Sequence, residues 1–139
     1  MLTFGVNLNK FFLFIMFLMG IEFEIDKKED YIHIKYNGEF PVIQIFDRFD
    51  KIIDHANEFN VSKVLLDLRY FDYELTNMES FHIGEYISKA YKSNLIKIAC
   101  LRDASKKDDF TEFVTTNSGA DFRLFNNEKD AIKWLKNTH

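Results

Sequence analysis

The chain has 139 residues, enough for one domain with a buried core, and its 47% hydrophobic and 29% charged content excludes a disordered polymer. A net charge of −4 argues against a nucleic-acid surface, which needs a basic stripe to displace counterions. The single Cys100 excludes an intrachain disulfide and fits a reducing compartment, hence a cytoplasmic location.

Residues 1–20 differ from the rest. Phe11 to Met19 is an unbroken apolar run after Lys10, too short to span a bilayer comfortably. No small-x-small cleavage pattern precedes Ile21. Three readings stay open. Met19 is the true start and the upstream residues are a start-site error, or the segment is a secretion or anchoring signal, or it is a peripheral hydrophobic tail. The signal reading would make the protein membrane-associated or exported, through residues 1–20 alone. The domain itself is expected over residues 21–139.

Ile21, Phe23 and Ile25 alternate with Glu22, Glu24 and Asp26, which predicts a half-buried strand. A second strand over residues 31–36, ended by Asn37-Gly38, completes an antiparallel hairpin. Pro41 suits a first helical turn, and Val42, Ile45, Phe46, Phe49, Ile52, Ile53 and Ala56 form an apolar stripe. Val64, Leu65 and Leu66 read as a strand covered on both faces. A second helix is expected over residues 77–93 and a further buried strand over residues 96–101. Phe110, Phe113, Val114 and Asn117 mark a third helix ended by Gly119. Residues 122–125 make the last strand, and Ala131, Ile132, Trp134 and Leu135 the terminal helix. The order ββαβαβαβα predicts an α/β domain with a mainly parallel five-stranded sheet, an N-terminal antiparallel hairpin and about four helices on both faces. An aromatic content of 17%, with 16 Phe, adds the expectation of a bulky core.

Open α/β sheets bind ligands at the carboxyl ends of their strands. Asp67, Arg69 and Asp72 are expected at that edge after one strand, and Arg102 and Asp103 after the next. Helix starts near Thr76 and Ser105 lie on the same side. Helix N-termini favour anions. Arg69, Thr76, Asn77, Arg102, Ser105 and Lys106 are therefore the candidate ligands for a phosphate or carboxylate. Arg–Asp pairing and helix capping are the simpler reading, since no glycine-rich loop accompanies these charges. Thr76-x-x-Glu79 fits a capping box, and Ser105-x-x-Asp108 fits a second cap.

No catalytic set emerges. His33, His55, His82 and His139 stand in no metal-ligand motif, so neither metal nor cofactor is expected. His82 and Glu85 share a helix face, where a surface hydrogen bond is the simpler role. Cys100 lies inside a predicted strand as a small buried hydrophobe. Gly-x-Ser-x-Gly, phosphate-loop and dinucleotide fingerprints are absent.

The segment Val64-Leu65-Leu66-Asp67-Leu68-Arg69 resembles the central strand of STAS-like domains. The resemblance continues through Thr76-Asn77-Met78-Glu79-Ser80-Phe81-His82-Ile83-Gly84-Glu85-Tyr86 and Lys97-Ile98-Ala99. It then runs on through Phe110-Thr111-Glu112-Phe113-Val114, Asn117-Ser118-Gly119 and Phe122-Arg123-Leu124-Phe125 to Ala131-Ile132-Lys133-Trp134-Leu135. Over residues 21–135 the ordered set resembles the SpoIIAA-like branch of the STAS superfamily, the anti-sigma-factor-antagonist fold, which is also compared with CRAL-TRIO lipid-binding domains. The resemblance implies a non-enzymatic regulatory domain that docks a protein partner or forms a homodimer. It also places Thr76 and Ser80 near a STAS phosphosite. Residues 70–76 depart from the pattern, because they lack the serine loop of the phosphorylated members. The other function the resemblance and the aromatic excess imply is binding of an apolar small molecule or lipid.

Overall fold

The computed structural model describes residues 21–39, 43–72, 76–105 and 121–137. Strand β1 (Ile21–Lys27) and strand β2 (Ile32–Glu39) form the antiparallel hairpin, followed by helix α1 (Ile43–Glu58) and strand β3 (Lys63–Asp72). Helix α2 (Asn77–Asn94), strand β4 (Lys97–Leu101), strand β5 (Phe122–Phe125) and helix α3 (Glu128–Lys136) complete the order. The five strands lie in one sheet in sequence order, with every pair after β1–β2 parallel. The described residues hold three helices; the one expected around Phe110 to Asn117 lies outside them.

Alternation along each strand sends two sets of side chains to opposite faces. On one face Phe23, Ile32, Ile34, Val64, Leu66, Ile98 and Cys100 pack against the inward stripes of α1 and α2. Ile45, Phe49, Ile52, Ile53 and Ala56 supply the α1 stripe, as the sequence spacing predicts. Phe49 and Tyr91 meet edge to face at 6.0 Å, and Tyr36 lies between Phe23 and Phe71. On the other face α3 lays Ala131 and Leu135 over Leu65, Ala99 and Leu101. Because α3 is short, it covers only part of that face.

Two strands run further than their sequence suggests. Asn37-Gly38 does not end β2: Gly38 adopts a φ of 100°, which glycine takes without a Cβ clash, and pairs with Phe71. Opposite it, β3 continues past Leu66 to Asp72 instead of opening into a loop at residue 70. An irregularity sets Leu68 and Arg69 against Tyr36, since Lys35 pairs with Asp67 but Asn37 with Tyr70. Leu68 and Phe71, three apart, therefore share one core, and Tyr70 stays with Asp67 and Arg69 on the α3 side.

Candidate functional site

Asp67 is a carboxylate set between Leu66 and Leu68 in β3, and it is fully buried. A buried charge must be paired and hydrogen-bonded. Arg69 meets this need by donating Nε to Asp67 Oδ1 at 2.9 Å and Nη2 to Oδ2 at 2.7 Å, with its backbone N–H adding a third bond at 3.2 Å. His33, on β2, places Nε2 at 3.2 Å from Oδ2. Glu128 opens α3 and accepts from Arg69 Nη2 at 3.2 Å. Burial alone would push the Asp67 carboxyl up, but the hydrogen bonds from His33 and Arg69 outweigh it and hold the group well below the usual carboxylate range. His33, Asp67 and Glu128 bring ligand atoms within 4.8 Å of one another, the spacing of a metal site. The Arg69 guanidinium already bridges both carboxylates, so the set fits an internal cation better than a bound one. The cluster pins β2, β3 and the start of α3 together.

This cluster was not legible as a unit, because its members stand 34 and 61 positions apart along the chain. Its one signal is Asp67, a charged residue set directly after the apolar run Val64-Leu65-Leu66.

The residues expected at the carboxyl edge divide. Arg69 does not reach the start of α2; it lies on the α3 face in the cluster above. Arg102 is buried and donates Nη1 to the carbonyls of Leu68 at 3.0 Å and Phe71 at 2.9 Å, stitching the end of β4 to the bulged part of β3. Thr76 caps α2: its Oγ1 accepts the Glu79 N–H at 3.2 Å while Glu79 Oε1 accepts the Thr76 N–H at 2.9 Å. Asn77 is the exposed first residue of that helix. Ser80 is only 2% exposed, so a kinase would have to open the first turns of α2 to reach its hydroxyl. Ser105 donates its hydroxyl and its N–H to Asp103 Oδ1, at 2.9 and 3.0 Å. Lys106 and Asp108 lie outside the described residues.

A feature absent from the sequence reading stands beside Thr76. Met78 is 71% exposed and Phe81 46% exposed, and they are three apart on the outward face of α2. His82 follows, its ring edge-on to Phe81 at 5.7 Å, and its Nδ1 lies 4.0 Å from Glu85. The inward stripe of α2 holds Ile83, Ile87 and Tyr91, and Met78 and Phe81 lie outside it with exposed side chains. Helical periodicity detects such a residue only as a mismatch on the polar side.

No protein-family model matches the sequence, and no curated protein resembles it in sequence. Solved structures do match in three dimensions. An uncharacterised protein of Shewanella loihica PV-4 with a SpoIIAA-like fold is 18% identical, covers 84% of this chain and 93% of its own, and superposes with a TM-score of 0.51. An anti-sigma factor antagonist from Mycobacterium paratuberculosis is 10% identical, with 84% and 95% coverage and a TM-score of 0.55. The fold is SpoIIAA-like. It is the STAS architecture that the ordered segments resemble, and it spans nearly the whole of both neighbours. Among the described residues no helix is long and apolar enough to cross a membrane.

Proposed function

We propose that this chain is a non-enzymatic regulatory domain that docks a protein partner through the start of α2. One observation carries the reading: Met78 and Phe81 stand exposed side by side, next to a helix start that a capping box holds in place. Apolar side chains presented from a rigid element serve as anchors for a partner's pocket, at little entropic cost to this side of the interface. The likeness to an anti-sigma factor antagonist supports a role in recognition. The polar groups that a reaction would need are spent on structure: Arg102 holds strand ends, Thr76 caps a helix, and the His33–Asp67–Arg69–Glu128 set is closed on itself.

Capture from lysate of the native host, with the wild-type chain and Met78→Glu/Phe81→Glu compared side by side, tests the assignment. A partner retained by the wild type and lost from the folded double variant is the expected result. Equal capture by both, or capture of nothing specific by either, contradicts it.

A further inference from the structure

Strand β1 is an edge of the sheet, paired among the described residues with β2 alone. An edge strand leaves every second N–H and C=O pointing outward, a template for one more strand. Its pairing with β2 runs from Ile21 to Lys27 without a register shift, and it contains neither proline nor glycine. Among the described residues, neither a bulge nor a proline interrupts this edge, and charged side chains are left to select what it accepts.

Charge selects what such an edge accepts. Phe23 is buried and Ile25 half-buried on the α1 face, which puts Glu24 and Asp26 on the opposite face, both exposed. No helix among the described residues covers that stretch, because α3 packs over β3 and β4. Lys35 stands opposite Glu24 in register, but its ammonium lies over the Tyr70 ring at 4.5 Å, so it is engaged on the side away from β1. Lys28 reaches Asp26 at 2.8 Å at an exposed position, and among the described residues no ion pair holds Glu24. A second copy joined edge to edge about an axis normal to the sheet would set these acids beside their own equivalents, which is destabilising. We propose that the β1 edge takes up an extended segment of another protein in which apolar residues alternate with Lys or Arg. The apolar set would extend the Phe23–Ile25 row, and the basic set would lie beside Glu24 and Asp26. This surface is separate from Met78 and Phe81, and the inference stands whether or not α2 docks a partner.

The probe is a blocked synthetic peptide alternating Lys with Val. Its controls are an alternating Glu–Val peptide and a Lys–Val peptide of the same composition with the lysines clustered. Binding to the full chain is titrated by heteronuclear NMR, with amide exchange read along β1. The alternating basic peptide should bind saturably and protect alternate amides between Phe23 and Lys27, while the two controls bind about tenfold more weakly or worse. Glu24→Lys/Asp26→Lys, both at exposed positions, should retain the fold and transfer the preference to the Glu–Val peptide. The proposal is overturned by an absence of saturable binding, by equal binding of the clustered control, by protection elsewhere than β1, or by a charge-reversed variant with unchanged preference.

Discussion

Asp67 shows how one residue can look like chemistry and serve structure. From the sequence, Asp67 and Arg69 are charges at the end of a strand, where a ligand binds; in the fold they lie within β3, facing α3. What the sequence could not convey is the length of β3, because pairing beyond Leu66 depends on a shift opposite Tyr36 that no local pattern announces. Removing the carboxylate leaves Arg69 and His33 facing a hole. Asp67→Ala should therefore destabilise by about 3 kcal/mol, at the low end for a broken buried pair because Arg69 and Glu128 remain partly exposed. Urea unfolding checks this, and a loss below about 1 kcal/mol would place the cluster's worth at that of a surface ion pair. The same group fixes a pH dependence. Its folded carboxyl is held below the unfolded value, so the unfolded chain binds more protons in between. The stability it contributes is present above about pH 4 and lost as pH falls further, and Asp67→Asn should flatten that acid limb in unfolding curves taken between about pH 6 and pH 3.

At the scale of elements, the described helices are the most legible from sequence, because their apolar stripes and the Thr76 cap are local. The Thr76-x-x-Glu79 box starts α2 as its spacing predicts. Thr76→Ala should cost about 1 kcal/mol, and a thermal melt of the variant measures it. The other end of α2 is less well made. Leu95 closes the helix in the left-handed region with φ 56°, a conformation that suits glycine, and its side chain is 84% exposed. Leu95→Gly should stabilise the domain by about 0.5–1 kcal/mol, since little contact is given up and backbone strain is relieved. A lowered melting temperature would show instead that the Leu95 side chain packs on the fold. Composition predicts the hairpin but ends β2 too early, since Asn37-Gly38 reads as a turn while the strand runs to Glu39. Its glycine is used within a strand, at a φ that the pairing with β3 demands.

At the scale of the molecule, alternation of strand and helix was enough to reach an α/β sheet with helices on both faces, and the ordered segments were enough to reach the STAS architecture. The proposed docking surface was not legible, because Met78 and Phe81 differ from core residues only in facing outward, and that is decided by where α1 and the sheet lie. Lys97 is a similar case. It is buried under α3, donating Nζ to the carbonyls of Trp134 at 2.8 Å and Asn137 at 3.0 Å, so that a sequence charge becomes a helix C-terminal clamp. The aromatic excess resolves in part into packed pairs such as Phe49 with Tyr91 and Phe46 with Tyr86. The proposed role of the whole rests on the outward face of α2 being an interface in the cell. The most direct measurement replaces Phe81 with a photo-crosslinking residue in the native host, places the same group at the exposed Glu58 at the end of α1 as a control, and identifies adducts by mass spectrometry. A discrete protein adduct at position 81 and none at position 58 is the predicted result; no adduct at 81, or the same adducts at both, would contradict it.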